Sequence, residues 1–297
     1  MVYLDLLISV SMVTLCGTVS NSLSISFYIK TGCRKLGTRI LKLLNALDLI
    51  ICVSVLITQI LHVDDGGKGR STNWARKIFD SFFFSAIGLS AFTTCLLSVT
   101  RAICLCFPFY KIRHKHVFGA FLVMVFFEVL KEALNVSKVY HEDQWLKLFI
   151  YPLICQILVV IISNVVCVWK LQKSERGERE RENGINKRAT VTVIILSSLF
   201  CFFNTLVVLM GLITITESGG RVDPRFMAYC VRFGIPFNSS LNPVVYFCRK
   251  AAMRQFISER FRNLRIFFDN VFGDLRDMIE LICSQCFEAN AGDISQE

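Results

Sequence analysis

Seven apolar runs divide this chain, and each is long enough to cross a lipid bilayer. They cover roughly residues 4–29, 40–63, 78–107, 116–134, 147–170, 189–216 and 226–248. A run of about 18 or more apolar residues is the usual mark of a spanning helix. In lipid every backbone amide must be satisfied within the segment, so each run is read as a helix. The joins between runs are short, which predicts one all-α bundle over 1–248 rather than several domains. Composition agrees: 54% of the 297 residues are hydrophobic and 26 are Phe, more than an ordinary soluble domain carries. The fourth run is the weakest, because Glu128, Lys131 and Glu132 interrupt its second half. The first run starts almost at Met1 with no basic leader and no small-residue cleavage pattern, so it reads as a retained span. No internal repeat is evident.

Orientation follows from the basic residues. More than two thirds of the 33 lysines and arginines lie after the first, third and fifth runs or in the tail after the seventh. Lys30, Arg34, Lys35 and Arg39 form the first such group, and Arg249, Lys250, Arg254, Arg260 and Arg262 open the last. The positive-inside rule therefore places the N-terminus outside and the tail in the cytoplasm, as expected for a multi-pass protein of the plasma membrane. The net charge of +10 is accounted for by this asymmetry and by anionic lipid; nucleic acid is not needed to explain it. Asn135-Val-Ser137 is a glycosylation acceptor pattern on the outer side. Asn238-Ser-Ser240 fits the same pattern but lies inside the last run and is discounted. Among 13 cysteines, Cys16, Cys52, Cys95, Cys155, Cys167 and Cys201 fall within runs, where a thiol is a small apolar group. Only Cys230 is near the outer surface, so no structural disulfide within the monomer is expected.

The seventh run closes on Asn238-Ser239-Ser240-Leu241-Asn242-Pro243-Val244-Val245-Tyr246. Buried amides and hydroxyls cost free energy unless they find partners, so this cluster predicts a polar network shared with other helices. Asp48, a lone acid in the second run, is the natural counterpart. Ionisable residues at membrane depth are functional candidates by default.

The order of these motifs carries a resemblance. Asn21 lies in the first run, Leu44-Asn45-Ala46-Leu47-Asp48 in the second, and Ser98-Val99-Thr100-Arg101 with Pro108 after the third. Asn242-Pro243-x-x-Tyr246 is followed by Phe247-Cys248-Arg249-Lys250. Each motif alone is weak; in this order the chain resembles the rhodopsin-like G-protein-coupled receptors, from the first run through a short helix after the seventh. Within that family it is similar to divergent orphan receptors of invertebrates. The likeness is strongest in runs 1, 2, 3 and 7 and poor in run 4. It implies a seven-transmembrane helix bundle over 1–248, a short amphipathic eighth helix over 249–265 and a cytoplasmic tail over 266–297.

The resemblance also implies roles. Asp48 would bind Na⁺ as an allosteric ion, with Ser90, Asn238, Ser239 and Asn242 supplying further oxygens. All-oxygen ligation suits a hard cation, and the alternative is a water-filled polar core. Arg101, at the inner end of the third helix, would hold the cytoplasmic halves together or donate to a partner's carbonyls, against the plainer reading of a snorkelling interfacial arginine. Tyr246 would swing toward it through water. There are departures. Thr100 and Ala102 stand where the family has an acid and an aromatic, which predicts a weaker inactive-state latch and raised basal activity. In the sixth run the Phe-x-x-Cys-Trp-x-Pro pattern survives only at Phe200; Asn204 takes the tryptophan place and Leu206 the proline place. The usual kink is thereby lost, and Asn204 is expected to face Asp48 and add to its network.

The outer half says less. Phe83 stands where amine receptors of the family carry an aspartate, so a biogenic amine is not expected. Phe83, Phe84 and neighbouring aromatics suit an apolar or mixed ligand. Arg232 either recognises an anionic ligand group or forms an internal salt bridge to Asp80. On the inner side, Ser174 to Asn183 is a mixed-charge stretch at helical spacing, read as a solvated helical extension. After Tyr246 an apolar stripe of Met253, Phe256, Ile257, Phe261 and Leu264 sits beside the basic residues, which predicts a helix lying on membrane lipid. Cys283 and Cys286 are palmitoylation candidates or idle thiols.

The expected function is a receptor that senses an extracellular, non-amine ligand and activates a heterotrimeric G protein. A non-signalling decoy that kept the fold is the alternative, made credible by Thr100, Asn204 and Leu206. A transporter or channel would favour inverted repeats, broken helices or pore-lining rings, and none is evident. No nucleophile, base and acid converge and no metal triad is visible, so an enzyme is not expected.

Overall fold

The computed structural model describes residues 2–32, 36–64, 74–107, 109–110, 112–136, 142–175, 180–216, 224–249 and 252–263. Seven long helices carry the chain: α1 (Val2–Lys30), α2 (Leu36–Asp64), α3 (Trp74–Cys106), α4 (His114–Val136), α5 (Glu142–Glu175), α6 (Glu180–Thr216) and α7 (Pro224–Arg249). Residues 252–263 form an eighth. Pro224 at the first position of α7 is where a missing N–H costs nothing. Gly32, with φ 59°, takes the left-handed conformation just past the end of α1, and its N–H returns to the Ile29 carbonyl.

Five of these helices are long and apolar enough to cross a membrane: Leu7–Lys30, Leu36–Leu61, Lys77–Cys106, Lys147–Lys173 and Ala189–Ile213. α4 and α7 fall outside that set for different reasons. α4 carries Glu128, Lys131 and Glu132, and α7 carries its amide and hydroxyl cluster with Pro236 and Pro243. Both are nevertheless full-length elements of 23 and 26 residues. The mixed-charge stretch is divided between the end of α5 at Glu175 and the start of α6 at Glu180.

The chain divides into two units after Arg249. In the first, α1 packs on α2 and α7, α7 on α6, α6 on α5, and α5 on α3, which also meets α2, α4 and α6. The main apolar core joins Ile51 and Val55, Phe83 and Ile87, Ile150 and Val160, Phe200 and Val207, and Ile235. A smaller cluster of Ile40, Leu97 and Val193 ties α2, α3 and α6 near Arg101. Gly17 marks a close helix approach. A Cβ there would meet the Ser240 hydroxyl and lie 2.5 Å from the Cys52 sulfur, so α1 can reach α2 and α7 only because the side chain is absent. In the second unit Met253 and Phe256 are buried, Arg254, Arg260 and Arg262 are exposed, and the Arg260 guanidinium sits 5.5 Å over the Phe256 ring. Phe261, expected on the apolar stripe, is 59% exposed.

Candidate functional site

The polar residues of α2, α3 and α7 meet at one carboxylate. Asp48 is fully buried. The hydroxyls of Ser90 and Ser239 each donate to its Oδ1 at 3.0 Å, and Asn242 Nδ2 donates to its Oδ2 at 2.6 Å. Three donors from two other helices thus take the place of the water the acid lost on burial. Asn238, one turn before Asn242, is buried too, and its Oδ1 has no hydrogen-bond partner among the described residues.

Pro243 explains a second seam. Proline lacks an N–H, so the carbonyl four residues earlier loses its helical partner. That carbonyl belongs to Ser239, and it accepts instead from Asn21 Nδ2 of α1 at 3.2 Å. The same amide also donates to the Gly17 carbonyl at 2.9 Å. Ser240 extends the seam by donating to the Val13 carbonyl at 3.1 Å. A helix-breaking residue in α7 therefore becomes a joint to α1. Next to it, Tyr246 is fully buried with its ring edge-on to Tyr28, centroids 6.2 Å apart.

No family model matches the chain, and no curated protein does. Among solved structures, the crystal structure of squid rhodopsin matches with a TM-score of 0.72 over 89% of this chain and 86% of that one, at 15% sequence identity. The fold is that of rhodopsin. With its apolar helices, it makes the chain a multi-pass membrane protein. At that identity the likeness concerns the fold alone, and the chemistry rests on the residues.

Within the rhodopsin fold, Arg101 lies partly buried at the C-terminal end of α3, and Thr100 beside it is buried. Its Nη2 is 3.7 Å from the point a Cβ on Gly37 would occupy, so the guanidinium lies against the first turn of α2. Among the described residues Arg101 makes no ion pair. Phe200 is buried in the main core. Asn204 corrects an expectation. It is buried, but its Nδ2 donates to the Phe200 carbonyl at 2.8 Å, one turn back in its own helix, and not to Asp48. A short amide on a helix is drawn to the carbonyl four residues earlier, and α6 keeps its own backbone partner. Leu206 is 48% exposed.

At the opposite end of the bundle from Arg101, Arg232 Nη2 and Asp80 Oδ1 form a salt bridge at 3.2 Å, so the internal pairing is the one present. Phe83 is packed in the core and not open to a ligand. Phe84 bridges Phe83 and Phe149 in edge-to-face contacts with centroids 5.3 and 5.7 Å apart. The side chains of Asn135 and Cys230, and the tail with Cys283 and Cys286, lie outside the described residues.

Two constellations were not foreseen from the sequence. The charges of α4, read as an interruption, are buried together. Lys131 pairs with Glu128, lies 3.9 Å from Glu132 Oε1, and sits 5.6 Å over the Phe149 ring of α5. A Cβ on Gly88 of α3 would collide with the Glu128 carboxylate. The spacing of Glu128 and Lys131, three residues apart, is the available signal. The second is Ser197 of α6, which donates to Asn164 Oδ1 of α5 at 2.9 Å; nothing in the sequence singles out that pair.

As for an ion, the oxygens on hand are the Asp48 carboxylate and the Ser90 and Ser239 hydroxyls bonded to it, with Asn238 Oδ1, one turn from Asn242, buried without a hydrogen-bond partner among the described residues. That set fits a hard cation of low charge. Asn242 presents its N–H to the carboxylate, so it orients Asp48 and is not itself an oxygen ligand in this arrangement.

Proposed function

We propose that the chain is a signalling receptor of the plasma membrane, with its N-terminus outside, that senses an extracellular ligand and activates a heterotrimeric G protein. The observation that carries this reading is the Asp48 network. One carboxylate gathers hydroxyls and an amide from α3 and α7, while Pro243 hands a carbonyl to Asn21 of α1. A polar hub of this kind has more than one way to satisfy its donors, which gives a bundle two packings of similar energy. A ligand bound outside then shifts the population between them.

In this reading Asp48, Ser90, Ser239 and Asn238 hold Na⁺, whose charge offsets that of the buried acid. Arg101 is the output. Unpaired among the described residues and next to Thr100, it is held by packing against α2 and not by a carboxylate, and it can turn to a partner's backbone carbonyls. Phe83 stands in the place of an amine-binding acid, so the chain offers no carboxylate there for a biogenic amine; the buried Phe83 ring is itself part of the core. The eighth helix, with Arg254, Arg260 and Arg262 exposed, lies on membrane lipid.

The test is recruitment of a panel of G proteins in cells without ligand, comparing wild type and Arg101→Ala at equal surface expression. A basal signal in the wild type that is lost in the variant is the expected result. A second reading, a non-signalling receptor of the same fold, draws on α6: it has no proline, and Asn204 is satisfied within its own helix. Silence from both proteins, persisting through a ligand screen, favours that reading.

A further inference from the structure

Between the first turns of α2 and α4 and the inner half of α3 the bundle leaves a cavity of about 470 Å³, within the range of small-molecule sites. Its wall is mostly hydrocarbon: Leu43 of α2, Leu96 of α3, and Val117, Phe118 and Phe121 of α4, with Thr93 of α3, whose hydroxyl is spent on the Leu89 carbonyl of its own helix. Phe118 is 62% exposed, so the cavity opens on the outer surface of the bundle. At its other end stand Arg39, His114 and Lys115, all exposed. None of its lining residues is acidic.

The two chemistries are segregated along the helices. From His114 to Phe121, α4 passes from charge to hydrocarbon in about 10 Å, at 1.5 Å per residue. From Arg39 to Leu43, α2 does the same in the same direction. Both helices begin at the charged end, where first-turn N–H groups and the positive ends of the helix dipoles add to the field. An occupant must therefore be anionic at one end and apolar at the other.

We propose that this groove binds an anionic phospholipid of the cytoplasmic leaflet, its phosphate on Arg39 and Lys115 and an acyl chain along Leu43, Phe118 and Phe121. The leaflet rests on the orientation proposed above; the chemistry does not. A neutral sterol would fit the wall and leave the cations without a counterpart. Free phosphate would meet the cations and leave the wall exposed.

The full-length chain in nanodiscs of phosphatidylcholine doped with phosphatidylglycerol tests this, with retained lipids counted by native mass spectrometry. Wild type retains phosphatidylglycerol in preference to phosphatidylcholine. Arg39→Ala with Lys115→Ala weakens that retention about 25-fold, taking about five-fold for each basic side chain near the membrane surface. Leu43→Trp, which fills the groove, removes it as well. Equal retention of both lipids by wild type, or no effect of the double variant, overturns the proposal. Loss in the double variant with full retention in Leu43→Trp means a headgroup adsorbed at the surface, and the groove assignment falls. Thermal unfolding in discs of phosphatidylcholine alone checks that each variant folds. Phe118→Ser, at an exposed position, replaces Leu43→Trp if that variant does not fold, with several-fold weaker retention expected. Lipid retention needs no G protein and does not depend on which side faces the cytoplasm, so a chain silent in the signalling assay leaves this result readable.

Discussion

At the scale of the residue, Asp48 ties α2 to both α3 and α7. Its two oxygens accept from Ser90, Ser239 and Asn242, and a buried donor left without an acceptor costs about 1–3 kcal/mol. Asp48→Ala strands all three donors and lowers thermal stability of the purified protein markedly. Asp48→Asn keeps one acceptor oxygen and falls between the two. The pair also reports on the ion. Replacing choline by sodium at constant ionic strength raises the unfolding temperature of wild type, because a ligand bound only by the folded state stabilises it. The rise is absent in Asp48→Asn, and a rise of equal size in both proteins would remove Na⁺ from this site. Neighbouring residues set the geometry in turn: Pro243 makes Asn21 useful by freeing the Ser239 carbonyl, and Gly17 lets α1 close on both.

At the scale of the element, α4 is the instructive case. By sequence its charges weaken it as a span; in the structure Glu128, Lys131 and Glu132 are each less than 10% exposed, with Glu128 against Gly88 of α3 and Lys131 over Phe149 of α5. Removing one member of a buried pair leaves an uncompensated charge and costs about 3–5 kcal/mol, whereas replacing both is close to neutral. Lys131→Met therefore destabilises the protein more than Glu128→Gln with Lys131→Met together, read by thermal unfolding. A double variant as damaged as the single one would mean that the charges are independently solvated. The contrast shows what was legible. Helix positions followed from hydropathy, a polar network between the α7 cluster and Asp48 followed from the cost of burying polar groups, and the place of Ser90 in it followed from the resemblance. The α4 cluster did not, because its burial depends on Gly88 in α3 and Phe149 in α5, and neither position marks itself. Asn204 is illegible for a related reason: a side chain's choice between an acid on another helix and its own helix carbonyl is decided by the rotation of α6, which periodicity alone leaves open.

At the scale of the whole molecule, the distribution of charge and the fold bear on one question, which side faces the cytoplasm. The end of the bundle that holds Arg101 also holds the starts of α2 and α4, and the ends of α1, α5 and α7. It is the end where the sequence concentrates its lysines and arginines. Basic loops resist translocation, and short loops near span ends dominate the choice. An epitope at the N-terminus should therefore be reached by antibody on intact cells, and one at the C-terminus only after permeabilisation. Neutralising Arg34 and Lys35 leaves this pattern unchanged, because the segments after α3 and α5 and the tail keep the bias. The opposite pattern of access would put Arg101 outside the cell, where no G protein could meet it, and would move the phospholipid groove to the other leaflet. One labelling experiment thus bears on both proposals, through the asymmetry of charge and independently of the Asp48 network.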